Sequence, residues 1–203
     1  MTAGLLVPLA VLYRRLLFEN QTWQDFDFLI SYGPRYELLQ SGLKSGSIPL
    51  WTDAYLGGFP IAFSEFGWFY PVTWLFLTLL PMPLAYHAET AFGLLLAAAS
   101  AYWLARIWGL DRSAAFLAAY LFAFGPFVFA TSRFLNYADI FFVLPAGLAA
   151  TEKIARGRFI FVPALAVIVA VAILAGHPQI ALMLVSAIGA YGVFRAVQLY
   201  RER

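Results

Sequence analysis

The sequence predicts an all-α, polytopic membrane protein, and three observations carry the prediction. Of the 203 residues, 63% are hydrophobic and only 12% are charged, where soluble domains carry roughly 25% charged residues. Mean hydropathy is +0.78. The apolar residues also gather in runs close to the roughly 20 residues a helix needs to cross a bilayer. These runs define a single transmembrane domain over 1–203, a helix bundle of about six spans. Between the first and second spans lies a long external loop, 19–83, carrying short interfacial helices.

The first apolar segment, 3–18, is the weakest span, because Arg14 and Arg15 interrupt it and must snorkel to an interface. Those arginines follow the apolar run instead of preceding it, which argues against a cleavable signal peptide. In the loop, "GPRYELLQSGLKSG" reads as a helix, with Pro34 at its start and Gly46 at its end. "IPLWTDAYLGGFP" is a turn region punctuated by Pro and Gly. "FGWFYPVTWLFLTLLP" is Trp-rich and bounded by Pro71 and Pro81, so it reads as an interfacial or re-entrant helix. Were 67–83 to cross the membrane instead, the loop would be cytoplasmic. The remaining spans are 84–107, 113–131, 134–151 (with Asn136 and Asp139 at its start and Pro145 inside), 159–175 and 178–199.

Composition excludes several function classes. With no cysteine, disulfide frameworks, thiolate metal sites and cysteine nucleophiles are ruled out. His87 and His177 are the only histidines, which leaves no room for a His-rich metal cluster. A net charge of +2 is too small and too scattered for a nucleic-acid binder. Charge does orient the chain. With Arg106 and Arg112 in the cytoplasm, Lys153, Arg156, Arg158, Arg195, Arg201 and Arg203 fall there too, as the positive-inside rule requires. Loop 19–83 and the turns "TSRFLN" and "GHPQ" then lie outside.

Asp25 and Asp27 stand out just beyond the first apolar segment. In an extended stretch they share a face; in a helix they diverge by about 200°. A carboxylate at this boundary is suited to act as general base toward a hydroxyl or to hold a divalent cation. The plainer reading is a solvated loop or an N-cap. "DFLISYGP", "LKSGSIPLW", "LGGFP", "FYP" and "AGHPQ", in that order, resemble the YfhO-like family of bacterial multi-pass membrane proteins, distant relatives of GT-C glycosyltransferases. The matching positions are Asp27 and Pro34; Gly46, Pro49 and Trp51; Gly57, Gly58 and Pro60; Tyr70 and Pro71; and Gly176, His177, Pro178 and Gln179. The resemblance covers nearly the whole chain, although YfhO-like proteins are longer, so the match is to an N-terminal portion.

The resemblance implies a GT-C-like fold in the bacterial cytoplasmic (inner) membrane. It further implies transfer of a sugar from a polyprenyl-phosphate donor to a cell-envelope acceptor on the outer face. Asp27 matches the position of the catalytic base, with Asp25 as its neighbour. A Mg²⁺ or Mn²⁺ ion is compatible with that chemistry but not required, and a separate membrane subunit is compatible with the short chain. Arg133 and Asn136 are suited to a donor phosphate, or Arg133 snorkels at the interface. His177 and Gln179 either contact the same phosphate or cap a helix turn. Glu65 reads as a second acid, a metal ligand or an exposed loop charge. Trp51 and Tyr70 either contact the sugar or lipid or belong to an interfacial aromatic belt. Asp53 and Arg35 read as loop surface. The competing reading is a non-enzymatic protein, either a transporter or flippase of lipid-linked sugars or a structural subunit.

Overall fold

A computed structural model describes residues 2–19, 21–22, 26–54, 57–63 and 65–202. Asp25 lies outside the described residues. The regular structure among these residues is helical, apart from one isolated antiparallel bridge between Thr52 and Phe59. In chain order the helices are α1 (Thr2–Leu12), α2 (Arg14–Phe18), α3 (Gly33–Lys44), α4 (Pro71–Leu79), α5 (Leu84–Ile107), α6 (Arg112–Ala123), α7 (Pro126–Thr131), α8 (Leu135–Ala138), α9 (Val143–Ala155), α10 (Val162–Leu174) and α11 (Pro178–Arg201).

Helix α5 is central, and many of its buried positions are small: Ala85, Ala91, Ala97, Ala98, Ala101 and Ala105. Small residues let neighbouring backbones approach without a hydrophobic drive between helices. Helix α6 answers with Ala115, Ala119 and Ala123, four residues apart and fully buried, so one face meets α5. A Cβ at Gly93 of α5 would lie 2.5 Å from the Ala138 carbonyl, so only glycine admits α8 there. Asp111 starts α6 by accepting bonds from the Ser113 and Ala114 amides, both at 2.8 Å. These bonds lead the causes that hold its carboxyl below the ordinary range.

Among the described residues, three helical segments are long and apolar enough to cross a membrane: Leu84–Ile107, Arg112–Thr131 (α6 and α7 together, with a break at Phe124–Gly125) and Pro178–Arg201. The other apolar segments differ from the sequence expectation. Segment 3–18 is divided at Tyr13 into α1 and α2. Segment 134–151 is divided at 139–142 into α8 and α9. Pro145 explains the second break: it has no N–H for the Phe141 carbonyl and is tolerated only in a first turn, which α9 provides. Segment 159–175 gives a 16-residue apolar stretch, Phe159–Leu174, begun by a 3₁₀ turn over Phe159–Phe161.

The loop forms a lid on one end of the bundle. Helix α3 begins with Pro34 in its first turn and ends before Gly46, whose φ of +75° suits glycine alone. Helix α4 has nine residues and is about 14 Å long, too short to cross. Gln40 donates to the Leu77 and Leu80 carbonyls, both at 2.8 Å, so α3 satisfies carbonyls that the end of α4 leaves open. Phe28, Tyr32, Tyr36, Leu39, Trp68 and Leu77 form a buried cluster with Tyr86 of α5 and Leu135 of α8.

At the other end, Glu152 of α9 is 3% exposed. It accepts bonds from Arg156 at 2.8 Å, Tyr191 at 2.8 Å and Arg195 at 3.1 Å. Arg156 also donates to the Ile107 carbonyl at 3.0 Å. Arg156 at the end of α9 and Arg195 of α11 therefore meet at Glu152, beside the C-terminal end of α5.

Candidate functional site

The lid supplies the first half of the site. Asp27 precedes a π-helical turn, Phe28–Tyr32, closed by the Gly33 amide donating to the Phe28 carbonyl. A Cβ at Gly33 would sit 3.0 Å from that carbonyl oxygen, so the wide turn and the glycine belong together. It leaves Phe28, Tyr32 and Tyr36 all buried. Tyr32 Oη donates to Asn136 Oδ1 at 3.1 Å, and Asn136 Nδ2 donates to the Glu65 carbonyl at 2.8 Å. Burial first, and then the negative charge of Asp27, hold the Tyr32 hydroxyl well above its ordinary range. Tyr137 and Glu65 act on it in the same direction.

Aromatic rings join the remaining groups to this centre. Tyr32 lies edge-on to Phe66 at 4.7 Å and 5.8 Å from Phe134. The Arg133 guanidinium lies 4.6 Å from the centre of the Phe134 ring, and that of Arg35 lies 4.1 Å from the centre of Phe66, within cation–π range. Phe134 is 5.8 Å from Tyr137, which meets His177 edge-on at 4.8 Å. His177 begins α11, its Nδ1 accepting a long 3.4 Å bond from the Ile180 amide.

Backbone contact fixes lid to bundle here. Gly176 has φ +86° and Gly67 has φ +61°. A Cβ on Gly176 would collide with the Gly67 amide nitrogen. Gly176→Ala is therefore expected to unseat residues 65–67 from the α10–α11 turn. A left-handed alanine alone costs about 1–2 kcal/mol, and the collision adds to it. Thermal unfolding followed by tryptophan fluorescence checks this; an unchanged midpoint would contradict the docking.

Beside His177 lies an apolar cavity of about 460 Å³, within the usual range for small-molecule sites. Phe127, Phe141, Met183 and Leu184 line it, with Thr131, Tyr137, His177 and Gln179 as its polar members. Phe127 and Met183 are 69% and 63% exposed, so the cavity opens sideways between helices.

Of the residues expected from sequence, Asp27, Glu65, Arg133, Asn136, His177 and Gln179 therefore gather around Tyr32, Phe134 and Tyr137. Asp27 and Glu65 are exposed, whereas Asn136 is buried and ties lid to bundle. Trp51 stands apart: it is 57% exposed, donates to Asp53 at 2.8 Å and packs against Gly58. Tyr70 is buried and faces a different pair, Glu89 and Asp139, with which it interacts electrostatically. Arg35, expected at the loop surface, is half-buried on Phe66 because the turn after Tyr32 swings it inward. Tyr32 and Tyr137 were not singled out from the sequence. The four-residue spacing of Phe28, Tyr32 and Tyr36 is the signal that marks the first.

Among the described residues, no three His, Cys, Asp or Glu side chains are placed to hold a metal ion. No family model matches the chain, and no curated protein or solved structure is significantly similar to it.

Proposed function

We propose that the chain is a GT-C-type membrane glycosyltransferase, transferring a sugar from a polyprenyl-phosphate donor to an acceptor hydroxyl on the outer face of the bacterial cytoplasmic membrane. The observation that carries this reading is the convergence of Asp27, Arg133 and His177 on an aromatic cluster beside a laterally open apolar cavity. In this reading the lipid tail enters the cavity between α7 and α11, and the phosphate lies near His177 and Arg133. The Asp27 carboxylate takes the proton of the acceptor hydroxyl. Its oxygen bonds to the anomeric carbon as the bond to the phosphate oxygen breaks, and the leaving polyprenyl phosphate keeps the electron pair. A direct displacement inverts that carbon. Charge develops on the leaving phosphate, where fixed donors contribute most.

The six-span topology belongs to the same proposal, with α1–α2, α8–α9 and the Phe159–Leu174 stretch completing the bundle around the three long helices. A photoreactive polyprenyl-phosphate analogue tests the reading. Crosslinks are expected around Phe127 and Met183, competed by unlabelled polyprenyl phosphate. Met183→Trp, which fills the cavity, is expected to weaken labelling roughly tenfold, the equivalent of about 1.4 kcal/mol. Labelling spread evenly over all lipid-facing helices would sink the proposal. A transporter or flippase of lipid-linked sugars is the second reading, favoured by the helix break at 139–142 beside buried carboxylates. Movement of the lipid-linked sugar without covalent transfer distinguishes it.

A further inference from the structure

The buried carboxylates of Glu89 and Asp139 lie outside the cluster at Asp27 and demand a separate account. Glu89 sits in the second turn of α5 and is 1% exposed; Asp139 opens the break between α8 and α9 and is 2% exposed. The segment carrying Asp139 packs on α5 one turn from Glu89, where the Ala138 carbonyl lies against Gly93, so the two carboxylates act on one another. Thr73 Oγ1 of α4 donates to Glu89 Oε1 at 2.6 Å. Asp139 Oδ2 is buried and receives no hydrogen bond. The titratable groups facing the pair are phenols: Tyr36 from α3 and Tyr70 from the start of α4 interact with both carboxylates, and Tyr86 of α5 stands beside Tyr36. His87 stacks on Phe28, 6.0 Å away. Among the described residues, no Lys or Arg forms an ion pair with either carboxylate.

Two neighbouring negative charges, enclosed by apolar rings and without a basic partner, carry a desolvation cost that one hydrogen bond does not offset. Ionisable groups in such surroundings are characteristically paired or part of an ion or proton pathway. The helix break adds a second feature, since interrupted membrane helices are where small cations are commonly held. We infer that Glu89 and Asp139 form a binding site for one monovalent cation, a proton or a sodium ion, held between Glu89 and the undonated Oδ2 of Asp139.

The site joins three elements: α4 through Thr73, α5 through Glu89, and the 139–142 break through Asp139. A bound cation therefore clamps the lid and the broken segment onto the central helix. Removing it leaves two adjacent charges that push the three apart. This site acts independently of transfer at Asp27 and stands or falls without it.

The full chain in lipid nanodiscs serves for the test, with thermal unfolding followed through its six tryptophans. One arm varies NaCl against choline chloride at constant ionic strength and alkaline pH; the other lowers pH without sodium. If sodium is the cation, the midpoint rises by roughly 5–10 °C at sodium concentrations near one hundred times Kd. If the proton is the cation, a comparable rise follows acidification alone. The isosteric double variant Glu89→Gln/Asp139→Asn is expected to lose the response of whichever arm is active. An equal response in wild type and variant overturns the site. Infrared spectroscopy of the wild type keeps the test decisive if the variant does not fold. A protonated carboxyl band that disappears with alkali or sodium supports the site. Two ionised carboxylates with no dependence on sodium overturn it.

Discussion

Asp27→Asn is expected to lower the turnover of sugar transfer by about 10²–10⁴-fold, the range typical for loss of a general base, with little change in donor binding. The substitution preserves size and shape and removes only the proton-accepting charge. Asp27 is exposed, and among the described residues it makes no hydrogen bond or ion pair within the protein. Folding therefore has little to lose. The midpoint of thermal unfolding should stay within the range of ordinary surface substitutions, about ±0.5 kcal/mol in stability. Crosslinking of the polyprenyl-phosphate analogue at Met183 should also persist, because Asp27 does not line the lipid cavity. This combination separates chemistry from binding and from folding. Undiminished transfer by Asp27→Asn removes the proposed mechanism, whereas loss of crosslinking together with transfer points to a structural role for the residue.

How much of this was legible in the sequence depended on the scale of the signal. Helix α3 was bracketed by Pro34 and Gly46, and the observed bounds, Gly33–Lys44, follow them. The short helix at Pro71–Leu79 was bounded by prolines in the same way. The long apolar helices followed from composition. The break at 139–142 was harder to read: Pro145 was visible, but its effect depended on which turn of a helix received it. The candidate site shows the same division. Asp27, Arg133 and His177 were conspicuous as polar residues at span ends, a one-dimensional signal. Their meeting through Tyr32, Phe134 and Tyr137 depends on packing between segments roughly a hundred residues apart, such as the Tyr32–Asn136 bond. Glu89 and Asp139 both fall within apolar segments of the sequence, where an ionisable group is costly unless paired or wet. That they interact with each other and, among the described residues, with no basic side chain emerges only when α5 and the helix break are brought together.

Glu152→Ala is expected to cost the fold about 3 kcal/mol, the lower part of the range for breaking a buried ion pair by removing one partner. The lower part applies because the Arg156 side chain is 49% exposed and keeps its access to water. Arg195 is the costly orphan: its side chain is 17% exposed, and its Nε lies 2.8 Å from Glu152 Oε2. The Tyr191 hydroxyl, which donates to the same oxygen at 2.8 Å, loses its acceptor too. Glu152→Gln should cost less, since the amide oxygen still accepts one bond while the charge is gone. The pH dependence follows from the same contacts. Burial pushes the Glu152 carboxyl up, but the bonds from Tyr191 and Arg156 and the charge of Arg195 outweigh it, so the group lies below its ordinary value. A carboxyl depressed in the folded state adds stability above its unfolded value, about 4.3, and loses that contribution as pH falls through the folded value. Wild type should therefore lose stability relative to Glu152→Gln as pH drops below about 4.3, and the two should run parallel above it. Thermal unfolding of both proteins between neutral and strongly acidic pH checks this. Parallel curves across the whole range would mean that Glu152 does not hold α9 to α11 by charge.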